Sequence, residues 1–599
     1  MSKQTIKEFY NKYSTWITIM LWIVICLWRI PFINKGIDYT DTGFNMENYK
    51  NVFYGNGISD IGLVFTNLLG GIIYKALPAY QLLVYRILHW IIGILSAFFA
   101  YQIFKRYLDK NLILVLLLGI SLATKGGESI YSYYPMTSLL LMLVLMFLHI
   151  GLVDKKNNRI VLAGVISGIN IFFRLTNIMY LAMVLLILFY GYIKGYSKKE
   201  TIKLAFMYIA GVVGVCICII PILFIILGKE DLINSSVAYV RELFGIVDSS
   251  IVNPIGIEEK SGHSLIAEIK TMGQQGISSI LTIVCFFIPV TAIWSLLNFL
   301  INRIDKIKNK TIFKYILLSA YSIVFSFIFK DRISGTIILI LSIGSVCFSF
   351  ILLLKYKKLK PEYILLFATT FLMGCCSVLG SDLGFKRISI LQSYAILSVA
   401  LGLILIINSA NSVNKYIKIV IELSKSFSII FVICLYIVGV FCMIPKSYLD
   451  ADYGELNYSV NPEIKVLKGM NTSKTRADQL NEYYEIMQRK ELQDAEVAMF
   501  GFFPLGFNIS EQKDYFESVM PCVDYPRVSV ERLLSVIQEK QEQGIKPVIV
   551  ISYVNQLQRG DDHFTSDAKM AVLNYMLELN DYDTYLDDEY FTIYIPSEA

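Results

Sequence analysis

Apolar runs long enough to cross a bilayer recur from near the first residue to about position 445, and nothing else constrains this 599-residue chain as strongly. An α-helix rises ~1.5 Å per residue, so ~20 apolar residues match a hydrocarbon layer ~30 Å thick, where the backbone must satisfy its own hydrogen bonds. Reading runs of about 17–25 residues as helical spans gives about thirteen. They fall near 15–33, 80–104, 111–125, 136–153, 160–174, 176–194, 203–227, 277–301, 311–328, 333–354, 361–379, 389–408 and 426–444. The pair meeting at Phe173-Arg174 also reads as one bent hairpin. With 55% hydrophobic residues, 17% charged residues and a mean hydropathy of +0.57, a soluble globule is excluded and a polytopic α-helical membrane protein is expected. The first run, Thr15 to Ile33, is long enough to span and lacks a small-residue cleavage site after it, so it reads as a span rather than a signal peptide.

The net charge of +6 hides a division at about residue 445. Residues 446–599 carry 14 Lys+Arg against 27 Asp+Glu, a net −13, which leaves +19 for residues 1–445. The basic residues of the membrane part gather in the loops Lys105-Arg106, Lys155 to Arg159, Lys194 to Lys203, Arg303 to Lys314 and Lys355 to Lys360. All of these fall on one side under the span assignment, and the positive-inside tendency makes that side cytoplasmic. The N-terminus is then cytoplasmic and residues 446–599 are extracytoplasmic, with no need of nucleic acid to explain the charge. Nine of the ten cysteines lie in apolar runs, where a thiol acts as a small hydrophobe, and the four histidines show no metal-ligand spacing. In the tail, helical patterns at Arg476 to Lys490, Ser529 to Gln543 and Ser566 to Leu579 alternate with short apolar strands at Val497 to Phe503, Pro547 to Tyr553 and Phe591 to Ile595. This predicts a small α/β domain, and it carries no phosphate loop or nucleophile elbow.

The polar residues that could carry chemistry all fall on the face opposite the basic loops. Asp38 and Asp41 lie in Gly36-Ile-Asp-Tyr-Thr-Asp-Thr-Gly-Phe-Asn45, just after the first span. A charge inside hydrocarbon costs roughly 2.5–3.5 kcal/mol, so such a pair belongs in water or a polar cavity. At a partly desolvated edge a carboxylate is pushed towards neutral pKa and becomes a better general base; two together could also hold Mg²⁺ or Mn²⁺. Loop solvation or helix capping would use the same residues without any chemistry. Lys386 and Arg387 follow Gly380-Ser-Asp382-Leu-Gly384, a turn that suits an approaching phosphate, although snorkelling at a helix end accounts for the cations equally well. Arg86 interrupts an apolar run near its outer end, Arg174 stands at the bend, and Glu128 joins Tyr131, Tyr133 and Tyr134 in an aromatic loop that fits either sugar stacking or an interfacial belt. Residues 60–78 read as a helix in the interface, and the long 229–275 loop carries a lone His263.

Taken together, an acidic motif in the first outer loop, about thirteen spans, an interfacial segment and an outer C-terminal domain resemble the C-type (GT-C) membrane glycosyltransferases. Within that group, Asp41-Thr-Gly-Phe-Asn-Met-Glu-Asn-Tyr49, followed by Gly57 and Asp60, is similar to the Asp-Glu-x-x-Tyr region of the protein mannosyltransferase and lipid A aminoarabinose transferase type. Thr42 stands where that motif carries Glu. The resemblance implies an inverting hexosyl or pentosyl transferase of the cell envelope. It would move a sugar from a polyprenyl-phosphate donor to a hydroxyl of a glycan, lipid or protein acceptor on the outer face, among membrane lipids. Asp41 would be the catalytic base, with Asp38 as the second candidate and the same pair holding any divalent metal. Lys386, Arg387 and Arg86 would meet the donor phosphate, and Asp60, Asp382, Glu128 and Tyr133 the substrates.

Two other readings predict different observations. A transporter or flippase for a lipid-linked glycan calls for charges near mid-membrane and broken helices, whereas these charges gather at one face. A non-catalytic protein that displays the tail outside would make Asp38 and Asp41 dispensable.

Overall fold

A computed structural model describes residues 3–54, 61–123, 130–228, 288–303, 309–328, 359–379, 384–408, 415–443, 450–510, 512–516, 523–524, 528, 530–554 and 565–597, with single positions at 233, 237, 270, 274 and 277. Helices dominate up to residue 443. They are α1 (Lys3–Leu27), α2 (Asp41–Tyr54), α3 (Val64–Ala76), α4 (Gln81–Phe104), α5 (Lys110–Ala123), α6 (Tyr133–Val153), α7 (Asn157–Phe173), α8 (Met183–Lys194), α9 (Lys198–Leu227), α10 (Ile288–Arg303), α11 (Lys310–Ile328), α12 (Pro361–Leu379), α13 (Gln392–Asn408) and α14 (Lys415–Ile437). Among the described residues, seven segments are long and apolar enough to cross a membrane: Tyr10–Phe32, Gln81–Phe104, Tyr133–Val153, Leu175–Lys194, Lys198–Ile225, Arg387–Asn408 and Ser424–Phe441. Five of the other expected spans appear as shorter apolar helices, and the expected span at 333–354 lies outside the described residues.

Local chemistry sets the breaks between helices. Gly195, with φ +74°, ends α8 in the left-handed region, and two residues later the Ser197 hydroxyl accepts the Glu200 amide at 3.2 Å to start α9. The α7 helix stops at Phe173, Arg174 is extended, and a 3-10 segment Leu175–Ala182 leads into α8, which is the bend anticipated at this pair. Glycines let α7 and α9 approach closely. A Cβ on Gly164 would fall 2.1 Å from the Tyr208 carbonyl oxygen, and one on Gly211 2.5 Å from that of Val161. At one end of the bundle Arg106 pairs with Asp154 at 2.7 Å and Lys194 with Glu362 at 2.8 Å. Hydrogen bonding by the Arg106 guanidinium holds the Asp154 carboxyl below its ordinary value.

At the opposite end the chain from 450 onward forms a strand-containing unit. A short antiparallel pair, β1 (Tyr458–Ser459) and β2 (Asn471–Thr472), precedes α15 (Lys474–Met487). A five-stranded sheet follows in the order β4-β3-β5-β7-β6, built from β3 (Glu496–Phe500), β4 (Lys513–Asp514), β5 (Val548–Ser552), β6 (Tyr582–Asp587) and β7 (Phe591–Pro596). Strands β4 and β5 run parallel to β3, and β7 is antiparallel to β5. Helices α16 (Gly506–Ser510), α17 (Val530–Glu542) and α18 (Asp567–Leu579) complete it. The tail shares one hydrophobic core with the membrane part: Ile37, Tyr39, Tyr49, Tyr85 and Tyr131 pack in a single cluster with Tyr483, Phe503, Leu505 and Phe591. A leucine at Gly211 overfills the α7–α9 contact, a change that costs about 1–3 kcal/mol in packed cores. Gly211→Leu should therefore lower the thermal unfolding midpoint in detergent by several degrees, while Gly214→Leu, where a Cβ meets nothing within 4 Å, should leave it in place.

Candidate active site

The acidic loop ends on α2, a helix whose composition is polar but whose residues Thr42, Asn45, Glu47, Asn48 and Asn51 are all buried. Part of this polarity is satisfied within the helix, as with the Asn45 side chain donating to the Asp41 carbonyl at 2.8 Å, and part by the tail, where Lys50 donates to the Phe507 carbonyl at 2.7 Å. Asp38 starts the helix. It is only 2% exposed, and its two oxygens accept from the Thr40 amide (3.1 Å), the Thr40 hydroxyl (2.8 Å) and the Thr42 amide (2.7 Å). It is thus a capping group for otherwise unsatisfied first-turn amides. Asp41 is the first residue of the helix and is half-buried rather than enclosed, at the end where the helix dipole favours negative charge. The two carboxylates are therefore placed differently: one is spent on the backbone, the other stands at the rim.

The loop before them is clamped from both sides. Arg86 on α4 donates to the carbonyls of Lys35 and Gly36, each at 2.5 Å, and to that of Ile33 at 3.5 Å. From the tail, Arg476 donates to the Ile37 carbonyl, stacks 4.3 Å over the Tyr39 ring and pairs through Nε with Asp450 at 3.3 Å. Asp450 in turn accepts the Ile37 amide at 2.8 Å and the Thr472 hydroxyl at 2.5 Å. The loop backbone extends the tail's pairing, with Gly36 N–H to the Asn471 carbonyl at 2.7 Å and Asn471 N–H to the Asn34 carbonyl at 2.8 Å. Leu505 closes the remaining side, with its amide on the Tyr39 carbonyl at 3.3 Å and its backbone so near Gly43 that a Cβ there would lie 2.2 Å away.

A second cluster gathers cations on one aromatic ring. Arg387, in the 3-10 helix Gly384–Leu391, is buried, donates to the Tyr133 hydroxyl at 2.9 Å and lies 4.9 Å from the Tyr134 ring centre. The guanidinium of Arg174 sits 5.0 Å from the centre of the same Tyr133 ring, on which Arg387 also lies at 5.4 Å. Tyrosines join this cluster to α2. The Tyr49 hydroxyl donates to the Tyr131 carbonyl at 2.9 Å, two residues before Tyr133, and the Tyr131 hydroxyl donates to the Thr66 carbonyl at 3.3 Å. Thr66 then donates to the Phe173 carbonyl at 2.8 Å, next to Arg174. Three neighbours along these segments carry buried polar atoms without a hydrogen-bond partner: both amide atoms of Asn67, Ser132 Oγ and Thr176 Oγ1. Groups left in this state are where a bound polar molecule gains most.

The structure thus brings Asp38, Asp41, Arg86, Tyr133 and Arg387 to one end of the bundle. Arg86 spends its terminal nitrogens on loop carbonyls, so what it does here is hold the loop. Lys386 precedes Arg387 in the same 3-10 helix. Asp60, Glu128, Asp382 and nearly all of the 229–275 loop lie outside the described residues. Among the described residues no three His, Cys, Asp or Glu side chains group as metal ligands, and Asp38 already has both oxygens engaged, so the donor set on view does not fit a divalent ion. Arg476 and Asp450 gave no sequence signal beyond an amphipathic helix and a charged linker, whereas Arg174 announced itself by its position at the bend.

No protein-family model matches the chain, and no curated protein matches it in sequence. Among solved structures it is similar to the oligosaccharyltransferase AglB of the archaeon Archaeoglobus fulgidus, in complex with an inhibitory peptide and a dolichol-phosphate, at 12% identity and a TM-score of 0.44 over 98% of this chain and 75% of that one. An apo form of the same oligosaccharyltransferase gives 11% identity and a TM-score of 0.47 over 98% and 75%. ArnT from Cupriavidus metallidurans in the apo state gives 11% identity and a TM-score of 0.38, covering 98% of both chains. The chemistry therefore rests on the residues themselves. Removing one partner of a buried ion pair costs roughly 3–5 kcal/mol because a bare charge is left inside. Arg476→Ala should therefore lower thermal stability and speed hydrogen exchange across residues 35–42, with Arg86→Ala affecting the same amides from the other side.

Proposed function

We propose that this protein is a glycosyltransferase that moves a sugar from a polyprenyl-phosphate donor to an acceptor hydroxyl on the extracytoplasmic face, with inversion at the anomeric carbon. The observation that carries this reading is the placing of half-buried Asp41 at the same end of the bundle as the Arg174/Arg387 pair, the two linked through Tyr49, Tyr131 and Tyr133. In the proposed reaction Asp41 takes the proton of the acceptor hydroxyl as its oxygen attacks the anomeric carbon. The bond from that carbon to the phosphate oxygen breaks, and the lipid phosphate departs as an anion stabilised by Arg387 and Arg174. Asp38 supports the base by fixing the first turn of α2. The partnerless polar atoms of Asn67, Ser132 and Thr176 supply further contacts for a hydroxylated substrate.

The basic loops favour an orientation with their end of the bundle, and the N-terminus, in the cytoplasm and with the tail and acidic loop outside. The gathering of charge at this one end favours transfer over a transport route through the midplane.

General bases typically contribute about 10²- to 10⁴-fold. Asp41→Asn should lower sugar transfer from a labelled polyprenyl-phosphate donor into that range while the protein stays folded. Asp38→Ser keeps an oxygen able to cap the helix and should retain activity within a few-fold, at a stability cost of about 1 kcal/mol. Full activity in Asp41→Asn would overturn the assignment of the base, and a collapse confined to Asp38→Ser would move that role to Asp38.

A further inference from the structure

Strand β3 ends at Phe500, and the chain then turns through Gly501 and Phe502, both with positive φ, at +101° and +55°. Glycine is required at the first position, since a Cβ on Gly501 would fall 1.9 Å from the Ser552 carbonyl oxygen at the end of β5. Phe502 has no such freedom: a bulky residue keeps a left-handed backbone only where its surroundings hold it there. The holding group is Asp524. Its Oδ2 accepts the successive amides of Gly501 and Phe502, at 2.7 and 3.1 Å, and its Oδ1 accepts the Thr565 hydroxyl. Lys569, in the first turn of α18, donates to the Val528 carbonyl and pins the chain four residues beyond Asp524.

The turn aims the residues that follow at the acidic helix. Phe503 is buried, with its ring T-shaped against that of Tyr39 at 5.0 Å. Two residues on, the Leu505 amide donates to the Tyr39 carbonyl at 3.3 Å, and the Leu505 backbone leaves no room for a side chain at Gly43. The Asn508 side chain donates to the Gly43 carbonyl at 3.4 Å, and Lys50 of α2 donates to that of Phe507 at 2.7 Å. Residues 503–508 therefore touch the chain on either side of Asp41, at Tyr39 and at Gly43.

We infer that Asp524 is a positioning residue for sugar transfer: by holding Gly501 and Phe502 in their turn, it sets the platform 503–508 on which the first turn of α2, and with it Asp41, is seated. The inference rests on the transferase reading proposed above. Asp524 acts through the backbone and not on a substrate, so it governs where the base stands. The donor phosphate is assigned to Arg387 and Arg174, and none of the contacts named here involves either.

The test uses the full-length protein in detergent, with rates normalised to folded enzyme. Asp524→Asn removes the charge that holds the two amides. It should lower kcat about ten- to a hundredfold, as misplacing a reacting group does, with the KM for a polyprenyl-phosphate sugar within about twofold of the wild type. Glycine adopts positive φ unaided, so adding Phe502→Gly to Asp524→Asn should bring kcat back to within about threefold of Phe502→Gly alone. Hydrogen exchange should quicken in Asp524→Asn at residues 39–44 as well as 501–505, and slow again in the double variant. An unchanged kcat would overturn the inference, as would a donor KM that rises tenfold with kcat intact. A loss of kcat that the double variant does not reverse would mean that Asp524 only supports the folding of the tail, and overturns it equally. If the wild type transfers no sugar, the transferase reading fails and exchange alone judges the link. Faster exchange at residues 39–44 that Phe502→Gly reverses then upholds the seating of α2 by Asp524, and unchanged exchange there rejects it.

Discussion

The buried pair of Arg476 and Asp450 fixes the geometry on which the rest of the site depends. Neither charge is exposed to water, and each is also bound to the backbone of a loop distant in sequence: Arg476 to the Ile37 carbonyl and Asp450 to the Ile37 amide. Desolvating two charges is offset only when every lone pair and proton finds a partner. That requirement ties the loop to one position, because a shift of one residue would take the Ile37 amide and carbonyl away from the two charges. With Ile37 fixed, Asp38 falls where it can cap α2, and Asp41 becomes the first residue of the helix. The energetic demand of an ion pair in the tail thus decides where a carboxylate stands at the end of the membrane bundle.

Aromatic side chains then connect the acidic end of α2 to the cations. Tyr49, Tyr85 and Tyr131 pack together with ring centres 5.1 to 6.3 Å apart, and the segment that continues from Tyr131 presents Tyr133 to Arg174 and Arg387. Tyrosine suits this position because its ring tolerates burial and faces a guanidinium favourably, while its hydroxyl satisfies a neighbouring carbonyl. Two positive groups converge on one ring at the edge of a membrane, close to buried amide and hydroxyl atoms without partners. The proposed function assigns this place to the departing lipid phosphate.

Much of this architecture was legible in the chain, for identifiable reasons. Runs such as Gln81–Phe104 and Lys198–Leu227 are unbroken apolar stretches, and span length is a one-dimensional property. The helix and strand patterns of the tail likewise show in local periodicity. The acidic loop stood out in the chain as a candidate site, but the different hydrogen bonding of its two carboxylates did not. Asp38 and Asp41 are the same residue type three positions apart, and only the hydrogen bonds from Thr40 and Thr42 distinguish the cap from the rim carboxylate. Arg86 read as a phosphate ligand, whereas its carbonyl partners at Ile33, Lys35 and Gly36 are set by tertiary packing. The buried polar helix α2 was hidden for the same reason, since its partners in the tail come from segments such as Leu505 and Phe507.

The clamp on the acidic loop has a consequence for biogenesis. Residues 36 and 37 are held by partners at 471, 450 and 476, so the loop emerges from the ribosome long before the groups that shape it exist. Bringing such distant segments together incurs a loop-closure entropy that the early chain cannot offset. During synthesis the first helices therefore enter the bilayer with their carboxylates unpositioned, and competence arrives only when the final quarter of the polypeptide docks. A product truncated before residue 450 would carry the loop without the groups that hold it.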